Sequence, residues 1–460
     1  MSECLSLKSG AALALTLLAA PVAQAPAQIK APGEEGSRNV HIQSHIPLGR
    51  SYTIGDIEIE QELSRPYVYV MRTFGQAGFD LISSKNPERA QLLYRWRIDQ
   101  PELHLGIGGS DGHYFKNKGR YYFAESFQFN QGGPDADLGV VVFDVTGLPD
   151  TSKIKEAARI RIKDPSAGLG GFHTLSPYKH SDGRVILFAT SMFGPAQVYD
   201  LGRIVEGGSA DPIGKVPNGP DPNQRQGYHD MYLAYDPATK LDKFYGAGLD
   251  VGYFVYDVTA PENPKLLTSI TGVAGLNAAH TFTATPDGRY AVTQMEYQYA
   301  PVRIFDLKPG LDGTVKTISR PVGAWMANWK LASHNNELRW PYVFVSAFND
   351  GLQVFNMMDP TNPYTVGYYD THSGALEDGL DIGPNMQIRE GKSIFNGLWG
   401  VDVRNADGMI VVSDFRTGFW SFKMDGFDGW NGHQWGMPNI SSVQDWDNGP
   451  DGAPKPQKVS

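Results

Sequence analysis

The feature that most constrains this chain is a strand–turn–strand sentence written about seven times along it. Its fullest copy runs from Tyr228 to Pro264, where two short apolar strands precede a third, GYFVYDV, that ends in an aspartate and a Pro/Asn loop. The same closing strand recurs as GFDLISSKNP (Gly78–Pro87), VVFDVTGLP (Val141–Pro149), QVYDL (Gln197–Leu201) and VRIFDL (Val302–Leu307), with variants at Leu352–Pro363 and Gly418–Gly426. Each copy follows a Val-, Tyr- or Phe-rich run across a Gly/Asp turn, which is how hairpins are written. A unit of roughly 50 residues with four strands is the period of a propeller blade, because one such sheet cannot bury both faces until its neighbours stack on it. Helical periodicity is nearly absent, so the chain is read as all-β, a seven-bladed β-propeller over residues 51–430.

Two phrases carry a family resemblance. GLQVFNMMDPTNPYTVGYYDT (Gly351–Thr371) and GYFVYDVTAPENPKLLTSI (Gly252–Ile270) resemble the LVIVD repeat of secreted bacterial proteins, over most of residues 64–424. The resemblance implies a propeller and implies no particular reaction, since propellers host unrelated activities.

Composition and flanks narrow the setting. Lys8, the apolar run Ala11–Ala20 and the small-x-small stretch Val22–Ala25 predict a signal peptide over 1–25, hence a periplasmic or secreted protein. No later run reaches the ~18 apolar residues of a membrane span. A Pro- and Gly-rich leader (26–50) and a C-terminal tail (431–460) flank the repeats. The one cysteine, Cys4, precedes the expected cleavage, so disulfides, thiolate metal sites and cysteine nucleophiles are excluded from the mature chain. A net charge of −10 without a Lys/Arg run argues against a nucleic-acid partner.

Function is sought where the repeat places it. Residues at one point of each innermost strand form a ring around a propeller axis, and aligning the blades on their Gly/Asp turns puts His173, His229, His280 and His334 in register, with Asp111 in the blade before them. A single histidine at a strand start is more often a hydrogen-bonded core residue than a ligand. Four in register, with no thiol competing, suit a borderline divalent metal: Fe(II) first, then Cu, Zn or Mn. Asp111, His113, Glu125 and Glu296 are the candidate catalytic groups, and Asp230 and Asp414 are candidate outer carboxylates. The seventh blade offers Asn396–Asp402 without a histidine, a gap that would leave coordination positions open.

Of the aromatics near the inter-blade loops, Tyr297, Tyr299, Trp325, Trp329 and Trp399, most read as packing and a few as an apolar wall for an organic substrate. His41, His45, His180, His372 and His433 read as surface residues. Asp135–Gly139 and Asp445–Gly452 only loosely resemble calcium loops. No GxSxG, HExxH, P-loop or dinucleotide fingerprint is present. The expectation is a metal-dependent enzyme of oxygenase, lyase or hydrolase type acting on a small molecule. The alternative is a non-catalytic ligand-binding or cell-surface scaffold propeller.

Overall fold

The computed structural model describes residues 36–447, apart from 50–51, 130–132, 164–169, 372–377, 383–387 and 393–394, together with residue 449. The expected signal peptide, Cys4 and His372 lie outside the described residues. Seven four-stranded antiparallel sheets make seven blades. Blade 1 holds β2 to β5 (Ile54–Ile59, Tyr67–Arg72, Gly78–Ser83, Gln91–Arg97) and blade 2 holds β6 to β9 (Gly106–Asn117, Arg120–Phe129, Leu138–Asp144, Lys155–Arg161). Blade 3 is β10 to β13 (Thr174–Lys179, Val185–Thr190, Ala196–Asp200, Gly214–Val216) and blade 4 is β14 to β17 (Asp230–Asp236, Leu241–Ala247, Tyr253–Asp257, Lys265–Ile270). Blade 5 is β18 to β21 (Ala279–Ala284, Tyr290–Met295, Val302–Asp306, Gly323–Trp325) and blade 6 is β22 to β25 (Asn336–Arg339, Tyr342–Ser346, Leu352–Asn356, Tyr364–Tyr369).

Blade 7 differs in origin. Its three inner strands are β28 to β30 (Leu398–Val403, Ile410–Asp414, Gly418–Met424), and its outer strand is β1 (Val40–Ile46), paired from Val40 with Met424 to Ile46 with Phe419. Within the expected leader, 26–50, the described residues Val40–Ile46 are instead the outer strand of the last blade, so the ring is closed by a strand from before the first blade. Each blade keeps only one short outer edge, which is the usual remedy for exposed sheet edges. A short hairpin, β26–β27 (Asp378–Ile382 and Ile388–Lys392), interrupts the connection between blades 6 and 7.

The repeated aspartate is explained by its hydrogen bonds. At the end of the third strand its carboxylate accepts from a backbone N–H a few residues on: Asp144 from Thr146 at 3.1 Å, Asp257 from Thr259 at 2.9 Å, Asp306 from Lys308 at 3.0 Å. Asn356 takes the same role with Met358 at 2.7 Å. This is an Asx turn, which ends a strand without an unsatisfied donor. Asp80, grouped with these in the sequence, is different: it pairs with Val70 inside its sheet, is fully buried, and binds Arg72 (2.8 Å) and Arg97.

Large side chains fill the spaces between blades. Tyr69 stacks on Phe123 at 4.2 Å, and Phe79 meets Phe123 and Phe143 edge-on at 5.0 Å, joining blade 1 to blade 2. His180, expected at the surface, is buried between Asp182 (3.0 Å) and Asp242 (3.3 Å), with Tyr178 donating to Asp242 at 2.7 Å, and so ties blade 3 to blade 4. Asp135 and Asp137 are held by Arg161, and Asp135 also by His104 at 3.1 Å, so that loop has its counter-charges already. His41, His45 and His433 are exposed as expected.

The tail is part of the fold as well. Ser441 accepts from Asn405 in the seventh blade at 3.1 Å, and Ser442 accepts from Arg339 at 3.0 Å and donates to Glu337. Gln444 then bonds Lys179 N and Pro177 O, Trp446 is buried beside Phe115, and Asp447 meets Lys116. Residues 441–447 thus cross from blades 6 and 7 to blades 3 and 2 over the face opposite the histidines. No helix among the described residues is long and apolar enough to cross a membrane.

Candidate metal centre

A hydroxyl from the preceding blade defines equivalent points on the innermost strands. The carbonyl of His173 accepts from Ser126 (3.0 Å), that of His229 from Thr190 (3.3 Å) and that of His334 from Thr281 (3.2 Å). In the same way the carbonyl of Trp399 accepts from Ser346 and that of Gly55 from Ser413, each at 2.7 Å. The backbone N–H of His173, His229 and His334 donates to the second strand of its own blade, at Thr190, Ala247 and Ser346. Three of the imidazoles are therefore placed by their main chain, and all four are buried around one cavity of ≈ 100 Å³.

The rings meet closely. His173 Nε2 lies 2.9 Å from His229 Nε2, and ring centroids are 3.8 Å apart for His229–His280 and 4.4 Å for His280–His334. Their outer nitrogens decide which tautomer they hold. His334 Nδ1 is 2.7 Å from the Trp399 carbonyl, which can only accept, so Nδ1 carries the proton and Nε2 the lone pair. His280 Nδ1 is 2.9 Å from the Thr281 hydroxyl, whose own hydrogen is directed to His334 O and Asn335 Oδ1, so it too is an Nδ1–H donor. His173 Nδ1 meets Gln128 Oε1 at 2.7 Å, again assigning the lone pair to Nε2.

Two polar atoms are left over: His229 Nδ1 and His280 Nε2 have no hydrogen-bond partner. Buried orphans of this kind cost free energy unless a ligand satisfies them. Burial holds all four imidazoles below the ordinary histidine range, His173 down to about 4 and His334 to about 3, so each is neutral, the form that binds metal.

Glu296 joins this group from the loop after β19. Its Oε2 is 3.7 Å from His280 Nε2, and His229, His280 and Glu296 each offer a ligand atom within 4.8 Å of the others. With 21% of its side chain accessible, burial still raises the carboxyl to about 8.

The other expected residues fall elsewhere. Asp111 is not the histidine equivalent in blade 2; that point is Gly109, because Ser110 bonds the His173 carbonyl as Thr174 bonds that of His229. A bulge between Gly109 and Gly112 shifts the count, so Asp111 sits two residues deeper in the channel. There Asp111 Oδ2 accepts from Leu175 N at 2.8 Å, and His113 bridges Glu58 (3.1 Å) and Asp111 (3.4 Å). Burial opposes a charge on His113, yet Glu58 and Asp111 outweigh it and hold the ring well above its ordinary value.

Asp56, Glu58, Asp111, Asp230, Glu337 and Asp402 line this lower tier, where burial and mutual repulsion raise Asp230 to about 7. Glu125 is absent from the cavity wall. It is fully buried behind Gly109, where a Cβ would lie 2.1 Å from its Oε1. Asp414 is also away from the channel, its carboxylate accepting from Arg416, Thr417 and Thr371. Trp325 is core, Tyr297, Tyr299 and Trp329 are exposed, and Trp399 lines the cavity. His104, passed over in the sequence, is buried between Gln100 O and Asp135 and is structural.

No protein-family model matches the chain, and no curated protein matches it. Among solved structures it is similar to the WD40 β-propeller domain of Doa1, at 11% identity and a TM-score of 0.51, over 85% of this chain and 99% of that one. That likeness is one of fold.

Proposed function

We propose that this protein is a secreted or periplasmic metal-dependent enzyme that holds one divalent transition metal through His173, His229, His280 and His334. The observation that carries this reading is the pair of facing nitrogens, His173 Nε2 and His229 Nε2, 2.9 Å apart, in the cluster that also holds the orphaned His280 Nε2. That separation would fit two imidazoles sharing one ion at the ordinary metal–imidazole length of ~2.1 Å. Gln128, Thr281 and the Trp399 carbonyl fix three ring orientations, as outer partners of metal-bound histidines do.

Four neutral nitrogen ligands suit a borderline divalent metal, Fe(II) being our first candidate ahead of Cu, Zn or Mn, and leave the ion its full positive charge. Such an ion supplies Lewis-acid or dioxygen chemistry to a small organic substrate. Glu296, whose carboxyl ionises near neutral pH beside His280, is placed to give and take a proton at the cavity. His113 with Asp111 and Glu58 forms a second proton-holding group deeper in the channel. Periplasmic or secreted location is supported by the apolar N-terminal run and the repeat resemblance.

Metal analysis of protein purified without a His tag tests this. About one equivalent of a transition metal is expected in the wild type, falling below ~0.2 in His229→Ala/His280→Ala. A wild type below ~0.2 equivalents after reconstitution would point instead to a non-catalytic binding propeller.

A further inference from the structure

We propose that Trp399 is the platform on which the substrate of this cavity rests, and that the substrate is a small aromatic compound, uncharged or positively charged. The proposal rests on the reading of the cavity as a substrate site, and its test is arranged to fail separately from the metal. Trp399 holds the seventh-blade place in the tier whose other side chains are the four histidines. Its indole lines the cavity and is backed on His334 (4.0 Å), Phe415 (4.4 Å) and Phe348 (6.0 Å), so its orientation is fixed while part of it faces the channel. An indole held in this way, beside rather than among the ligands, is a stacking surface.

Two observations narrow what lands on it. The cavity of ≈ 100 Å³ is well below the volume of a drug-sized pocket and admits one ring or a short group. Ser442, bound to Glu337 and Arg339, lines its far end under the 441–447 strap, which favours entry from the histidine end. That end carries an exposed aromatic set in the loop directly after Glu296: Tyr297, Tyr299 and, packed on Tyr299 at 5.2 Å, Trp329, each more than half exposed. Tyr299 stands at φ 63, a strained conformation for a non-glycine residue, kept in place by its N–H to Trp329 O. Exposed aromatic faces of this kind favour planar and cationic ligands. The channel below is lined with carboxylates, among them Asp230, Asp111 and Asp56, which repel an anionic one.

Titration calorimetry with phenol, benzylamine, benzoate and n-butylamine tests the proposal, on protein as isolated and after chelator treatment. Phenol and benzylamine are expected to bind, benzoate at least about tenfold more weakly than benzylamine, and n-butylamine hardly at all. Trp399→Leu should weaken benzylamine about tenfold and Trp399→Phe by less, as stacking surfaces do. Because the backbone carbonyl of Trp399 holds His334, both variants keep that bond, and unchanged unfolding midpoints would show that the fold is intact. The preference should survive chelation. Benzoate binding as tightly as benzylamine, no loss in a folded Trp399→Leu, binding that vanishes with the metal, or binding of none of the four would each overturn it. Aromatic binding in a protein that takes up no metal would overturn the metal reading alone.

Discussion

Blades 3 to 6 and blades 7, 1 and 2 build the same tier of the channel in two ways. On the first side, four blades each present an imidazole inward, three of them fixed by a main-chain N–H bond and three by a partner on Nδ1. On the second, the equivalent points are Trp399, Gly55 and Gly109. A side chain at the glycines would force its neighbours to shift: a Cβ at Gly55 would lie 3.0 Å from Thr73 Cγ2 and 3.1 Å from Gly109 O, and one at Gly109 would strike the Glu125 carboxylate. Blades 1 and 2 are pressed together here at the expense of ring-forming side chains. The difference teaches that the site is one-sided: imidazoles on one arc, an aromatic surface and bare backbone on the other. A one-sided site leaves positions open to a substrate, whereas a complete ring would not.

The comparison can be broken first on the histidine arc. His280→Ala should lower metal affinity more than about 100-fold, beyond what loss of an outer partner costs. Competition with a chromophoric chelator measures it, and an affinity within a few-fold of wild type would remove His280 from the ligand set. Next comes Gln128→Leu, which keeps His173 but frees its ring. The expected loss is about 10- to 100-fold in the same assay.

The glycine arc should respond in the opposite currency. Gly109→Ala forces Glu125 to move and is expected to destabilise the fold by about 1–3 kcal/mol in urea denaturation, with metal affinity changed by much less. A large loss of affinity with unchanged stability would show that blade 2 contributes to the site directly.

The smallest effect concerns pH. In the metal-free protein Glu296 ionises at about 8 rather than at 4.5, so the folded state keeps a proton that the unfolded chain releases across that window. Stability from this group therefore falls as pH rises from 4.5 to 8, by at most about 1.4 kcal/mol per unit. Glu296→Gln should remove that slope, read as the difference between the two proteins' urea midpoints at pH 5 and pH 7.5. Parallel curves would place Glu296 in solvent.

The sequence made the blades and the histidine arc legible for one reason: both repeat. Strands alternate with Asx turns at a recurring spacing, and each of the four histidines stands at or just before the start of a blade's first strand, so counting back from the turns reaches them. What did not repeat was missed or misplaced. The bulge in β6 inserts residues between Gly109 and Gly112, and no count from the turn at Gly119 can find them, so the count places Asp111 in the ring although it lies below. Val40–Ile46 has no hairpin partner, because its mate Gly418–Met424 is at the other end of the chain. Glu125 and Glu296 both lie at or just beyond second strands, and only the packing separates them: one is sealed behind glycine, the other reaches His280. His180 was set at the surface because a histidine before Asp-Gly reads as a turn, and its buried partner Asp242 comes from the next blade. The strap formed by residues 441–447 carries polar, tail-like composition, and its value lies in long-range bonds to Glu337, Arg339 and Lys179.

The most direct test of the account is a crystal structure of the metal-loaded protein with anomalous scattering recorded at the edge of the bound metal. The account predicts one peak on the axis, ~2.1 Å from Nε2 of His173 and Nε2 of His229, with His280 and His334 also coordinated and the side toward Trp399 and Gly109 open. A peak in the carboxylate tier below, or none at the histidines in protein shown to contain metal, would contradict it.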